Sequence, residues 1–129
     1  MERPPLANAE LAVMKLLWDA DRMTARQIRE RLYPNATKAQ HGTVQRLLQR
    51  LVDKGYVVRD ASQPVLFFSA EVSQRFYAGS QLESLAAKLT GGSLAPLITH
   101  LIEQKNMSRE DIEQLRAMLD EQQEKDEQT

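Results

Sequence analysis

The sequence predicts a mainly α chain with one small β-hairpin, on three observations. Apolar residues recur at helical spacing through residues 6–20, 24–33 and 40–55, and again from residue 73 onward. The period changes to short β-branched and aromatic runs only at Tyr56–Arg59 and Val65–Ser69. Glycine, proline and capping residues stand where the periodic runs begin and end.

Residues 6–20 read as a first helix, with Asn8 as its N-cap and Leu11, Met14, Leu17 and Trp18 as its buried stripe. Trp18, the only tryptophan, is expected in the core rather than on a ligand platform. Thr24-Ala25-Arg26-Gln27 fits a capping box that opens a second helix through Tyr33. Ala25, Ile28 and Leu32 would face inward, with Arg26 and Arg29 outward. Pro34-Asn35 stops this helix, and Thr37–His41 would form the turn into the third.

The third helix, Gln40–Gly55, organises the rest. Val44, Leu47, Leu48, Leu51 and Val52 form one stripe, and the opposite side carries Thr43, Arg46, Gln49 and Arg50. Gly55 is placed to end the helix in a left-handed cap. The hairpin follows at once, its two runs flanking the turn cluster Asp60–Pro64. Three helices and then a two-stranded ribbon is the order of a winged helix-turn-helix, in which the third helix is the recognition element.

From Ser73 the chain is helical again. Phe76, Leu82, Leu85 and Leu89 mark a fourth helix ended by Gly91-Gly92, and Ser93 would cap a fifth that carries Leu97, Ile98 and Leu101. Pro96 is tolerable in its first turn. Ser108 opens a sixth helix lined by Ile112, Leu115 and Leu119, with acids near its N-terminus. These helices are too few and too apolar to bury themselves, so a second copy of the chain is the economical cover; folding back on the same chain is the other solution. The expected organisation is a winged helix-turn-helix DNA-binding domain at 1–72 and a helical dimerisation domain at 73–129, with a polar, fraying tail from Glu121.

Composition narrows the function classes. With 42% hydrophobic and 27% charged residues the chain is a globular protein rather than a disordered one. It has no cysteine, which removes disulfides, thiolate metal sites and thiol catalysis, and with two histidines no metal or other cofactor is expected. No segment reads as a signal peptide or approaches the ~20 apolar residues that span a bilayer, so no membrane insertion and a cytoplasmic location are expected. No nucleophilic triad, phosphate loop or carboxylate pair points to an enzyme. The net charge of −1 conceals an asymmetry: residues 1–70 hold 11 Lys/Arg against 7 Asp/Glu, and residues 71–129 hold 6 against 11. A basic head beside an acidic half is the footprint of a polyanion-binding module.

The candidate contact residues follow from this. Arg46 and Arg50 can each reach either guanine O6/N7 or a phosphate. Thr43 can bond a phosphate or pack on a thymine methyl. Thr24 stands where the second helix's backbone N–H groups would meet a phosphate. Arg59 and Gln63, on the hairpin, would reach the flanking backbone or minor groove. His41 would either touch DNA at the helix's front end, and there lend binding a weak pH dependence, or stand by as a spectator. Two other uses of the fold compete: a small-molecule-sensing regulator, for which about 55 C-terminal residues leave little pocket, and a winged helix used for protein–protein contact, which would lack salt-dependent DNA affinity.

The chain resembles the penicillinase-repressor (BlaI/MecI type) family of bacterial regulators. The matching stretches are L-A-N-A-E-L-A-V-M-K-L-L-W at 6–18, T-V-Q-R-L-L-Q-R-L-V-D-K-G-Y at 43–56, G-G-S-L-A-P-L at 91–97 and S-R-E-D-I-E-Q-L-R at 108–116. The resemblance implies a homodimer joined through its C-terminal helices, one winged helix on each half of a palindromic operator, repressing transcription. By position it places His41, Gly42, Thr43 and Arg46 nearest the DNA, with Arg50 further along. Gly42 departs from the basic residue that relatives often carry, and Asn35–Lys38 replace an aromatic. For members induced by β-lactams it implies a regulatory membrane protease as a partner. The Asn-Phe bond commonly cleaved there is missing from A-A-K-L-T-G-G at 86–92, and the cysteine-rich motif of the copper-responsive branch is missing altogether.

Overall fold

A computed structural model of the chain describes residues 3–35 and 38–127. The elements run α1 (Asn8–Asp19), β1 (Met23–Thr24), α2 (Ala25–Leu32), α3 (Lys38–Asp53), β2 (Val57–Asp60), β3 (Phe67–Ala70), α4 (Gln74–Leu89), α5 (Ala95–Glu103) and α6 (Arg109–Glu127). This is the mainly helical, winged helix-turn-helix order that the sequence predicts. Two compact units divide the chain, Met1–Ser80 and Gln81–Thr129, the boundary falling within α4.

The first unit is built around α3. Val44, Leu47, Leu48 and Leu51 recur at i, i+3, i+4 and i+7 and are buried, while Val52 is half-buried. They meet Val13, Met14 and Leu17 of α1 and Ile28 of α2 in one core that also takes in Phe68. Fully burying each such side chain contributes about 1.5–3 kcal/mol. The stripe of α1 is rotated from the expected one. Glu10 and Val13 are buried where Leu11 is only half-buried, because Glu10 Oε1 is drawn inward onto Lys54 Nζ at 2.7 Å. Trp18 packs on the edge of the core, its Nε1 donating to the Val72 carbonyl at 2.8 Å and its ring 6.0 Å from that of Tyr77.

The ends of the helices correct several expectations. Ala7, not Asn8, is the N-cap of α1; it has no side-chain acceptor, and Glu10 Oε1 accepts its N–H at 2.8 Å instead. The box at α2 is as expected: Thr24 Oγ1 accepts from Gln27 N at 3.1 Å and Gln27 Oε1 from Thr24 N at 2.9 Å. Arg29 does not point outward, its side chain being 24% exposed. α3 begins at Lys38, inside the turn expected at Thr37–His41; Thr37 lies outside the described residues. Its C-terminus is a Schellman motif, with Tyr56 N donating to Leu51 O at 2.9 Å, Gly55 N to Val52 O at 3.0 Å, and Gly55 at φ +87°.

The wing is a three-stranded antiparallel sheet in the order β1-β3-β2 rather than a lone hairpin. β2 pairs with β3 from Val57↔Ala70 to Asp60↔Phe67, and β1 adds Met23↔Phe68 and Thr24↔Phe67. This extra strand ties the start of α2 to the wing.

In the second unit α4 stops at Leu89, before Gly91 and Gly92 at φ +66° and +101°. Leu94 rather than Ser93 is the N-cap of α5, without a side-chain bond; the Ser93 carbonyl accepts the Thr90 hydroxyl. Ser108 Oγ caps α6 by accepting from Asp111 N at 3.0 Å. α6 does not fray at Glu121 but continues to Glu127. Residues 121–127 are helix formers with no breaker, and Lys125 stands 3.6 Å from Glu121 one turn back.

Candidate nucleic-acid interface

α3 divides by face. Its core stripe lies opposite Gln45, Arg46, Gln49 and Arg50, all exposed, with His41, Gly42 and Thr43 half-exposed at the front. The front turn gathers four of the expected residues. Arg46 Nη2 lies 3.4 Å from Thr43 Oγ1, and its Nη1 passes 3.6 Å from where a Cβ on Gly42 would stand. His41 Nε2 is 3.5 Å from Gln45 Nε2. A Cβ at residue 42 would stand in ordinary van der Waals contact with the guanidinium, so the two positions share one patch of the helix front.

Arg50 lies one turn further on, and its charge reaches Glu10. Burial pushes the Glu10 carboxyl up, but the Lys54 ammonium, the Ala7 N–H and the charge of Arg50 together hold it below its ordinary value. Arg22, Arg26 and Arg29 stand 3.9, 3.1 and 3.8 Å from carboxylates. Among the described residues no carboxylate lies within 4.0 Å of Arg46, Arg50 or Arg59.

Arg59, on β2, is turned toward α3 and donates to Gln49 Oε1, while Gln49 Nε2 donates to Asp53 Oδ1 at 2.8 Å. It therefore links wing and helix. Gln63 is exposed in the 61–66 loop. That loop is closed by Asp60, whose Oδ1 accepts from Ser62 Oγ at 2.6 Å and Ser62 N at 2.9 Å; those two bonds, with the charge of Arg22, lower its pKa. Thr24 takes its place elsewhere, in β1 and at the start of α2.

Sequence reasoning left two residues without a role. Arg22 lies over the Phe67 ring, 4.0 Å from its centroid, and within 3.9 Å of Asp60, so it carries positive charge at the wing. Gln49 was legible as polar face, but its bridge to Arg59 depends on where β2 runs. No pattern along the chain announces either.

Residues 6–121 match the family model described as "Penicillinase repressor". The chain belongs to the penicillinase repressor family. Membership makes it a DNA-binding transcriptional repressor and not an enzyme. It is similar to the penicillinase repressor of Bacillus licheniformis, 25% identical over 118 residues, or 92% of this chain and 91% of that one. The penicillinase repressor of Staphylococcus aureus is 23% identical over 114 residues, covering 88% of this chain and 90% of its own length. The methicillin resistance regulatory protein MecI of Staphylococcus aureus strain N315 is likewise 23% identical, covering 88% of this chain and 92% of its own. Among solved structures, the oxidized form of MarR from E. coli covers 90% of this chain at 21% identity, with 74% of that chain matched and a TM-score of 0.45. Among the described residues no helix is long and apolar enough to cross a membrane.

Proposed function

We propose that the chain acts as a homodimer in the cytoplasm, each copy laying the front of α3 into the major groove on one half of a palindromic operator. In this reading residues 1–72 are the DNA-binding domain and residues 73–129 the dimerisation domain. Arg46 and Thr43 meet bases or phosphates at the front, with His41 and Gly42 close to the duplex. Arg50, Thr24 and Gln63 serve the flanking backbone, and Arg59 holds the wing against the helix that reads.

The observation that carries the reading is the pair of exposed arginines on α3. An exposed guanidinium with no carboxylate of the described residues within 4.0 Å is well suited to a bidentate contact with guanine or phosphate. Two heads about 34 Å apart then combine weak half-site affinities through the linkage between copies. The second copy is supported by apolar side chains that one chain leaves open: Leu85 is 46% exposed and Leu89 65%. Separating the copies would release the operator, whatever signal does it.

Selection of a binding duplex from a random pool, followed by titration at rising salt, tests this. Wild type is expected to select a two-fold site and to lose affinity steeply with salt. Arg46→Ala is expected to weaken that site by about 1–3 kcal/mol and to relax one base position. Unchanged base preference would remove Arg46 from readout, and flat salt dependence would remove DNA.

A further inference from the structure

The rear end of α3 is held by the N-terminal segment that precedes α1. Residues 3–7 run alongside the Schellman end and are tied there by several hydrogen bonds. Arg3 Nε donates to the Gly55 carbonyl at 2.9 Å, and the Tyr56 hydroxyl donates to the Pro4 carbonyl at 2.6 Å. Lys54 Nζ donates to the Pro5 carbonyl at 3.2 Å and to Glu10 Oε1 at 2.7 Å. Leu6 N donates to the Tyr77 hydroxyl at 3.2 Å, and the Tyr77 ring packs edge-on against Tyr56 at 5.7 Å between centroids. Two consecutive prolines stiffen the segment, so its carbonyls are presented with little freedom left to lose. Arg3 Nε lies 3.3 Å from where a Cβ on Gly55 would stand, so strap and glycine cap fit each other closely.

We propose that residues 3–6 are a positioning strap for operator reading: by fixing Lys54, Gly55 and Tyr56 they set the axial position and tilt of α3, and so the depth at which Arg46 enters the groove. The inference rests on the reading of α3 as the recognition helix. Lys54, Tyr56 and the strap residues are positioning residues, acting on DNA only through α3. A helix anchored at one end pivots there. With Arg46 eight residues from Lys54, a span of about 12 Å, a few degrees at the anchor displace the guanidinium by roughly half an ångström, which is enough to spoil a bidentate pair.

The test uses charge-neutral variants of the full chain, so that the electrostatic part of binding is untouched. Tyr56→Phe removes only the bond to Pro4. A triple variant adds Pro4→Gly and Pro5→Gly. Each is titrated against the duplex that wild type selects from a random pool and against a shuffled duplex of the same composition. The selected duplex is expected to bind about threefold more weakly with Tyr56→Phe and about tenfold more weakly with the triple variant, while the shuffled duplex stays within about twofold. Amide exchange is expected to quicken at Gly55 and Tyr56 in both variants and to hold steady at Val13 and Ile28. Equal losses on both duplexes, or a folded triple variant with full discrimination, would overturn the strap. Should the triple variant not fold, Tyr56→Phe decides alone. If wild type itself does not discriminate between the duplexes, the recognition-helix reading fails, and the exchange rates alone then judge the anchor.

Discussion

The two compact units solve the problem of apolar surface differently. In the first, α1, α2, α3 and the sheet close over Met14, Leu48 and Leu51, none of them more than 1% exposed. In the second, Ala86 is the one buried residue among those described, while Leu82, Leu85, Leu89, Leu101 and Leu119 are 41–65% open to solvent. Leu97, Ile98, Ile112 and Leu115 are half-buried; Phe76, on the part of α4 that belongs to the first unit, is 63% exposed. One unit thus carries its own core, and the other leaves most of its apolar side chains open or half-open to solvent. The difference is energetic: the head's stability is internal, and in the proposed dimer that of the helical unit would depend on assembly.

Four variants press on this contrast, in order of expected effect. Leu48→Ala is expected to cost about 2–5 kcal/mol, equally at low and high protein concentration in urea titrations; a concentration-dependent loss would place part of the head's core between molecules. Leu85→Glu combined with Leu101→Glu is expected to convert a dimer to a monomer in sedimentation and to weaken operator binding about a hundredfold, with Trp18 fluorescence unchanged. A surviving dimer would refute the interface.

Glu10 offers a pH test confined to the head. Its folded pKa lies below the ordinary value of 4.5, so its contribution to stability is whole above that value and disappears as pH falls through the lowered folded pKa. Wild type is expected to exceed Glu10→Gln by about 1–3 kcal/mol near neutrality and to converge with it in acid. A gap indifferent to pH would mean that Glu10 acts by packing alone. Smallest is Thr24→Ala, which removes the box at α2 and is expected to lower the melting temperature by the equivalent of about 1 kcal/mol; no change would leave the cap without energetic weight.

What the sequence reveals follows from range. Helices of several turns repeat their apolar stripe often enough to be read, so α3 and α4 were placed to within a residue or two at their C-terminal ends. β1 has two residues, too few for any period, and exists because β3 offers it a partner. The cap of α1 lies at Ala7 rather than Asn8 because the acceptor comes from Glu10 one turn on, which residue type at the cap does not announce. In the candidate site, the front of α3 was legible from the helical wheel alone. The bridge from Arg59 to Gln49 and the stacking of Arg22 on Phe67 join residues far apart in order, so only the folded chain reveals them.

The glycine that ends α3 also acts as a fixed origin for counting. One residue inserted between Arg46 and Asp53 would swing Arg46 through about 100° relative to the wing, since Gly55 and its hydrogen bonds keep the strand's departure point unchanged. Length changes among relatives are therefore expected to collect in the 61–66 loop and around Gln104–Met107, and to spare positions 46–53, which set the phase of Arg46.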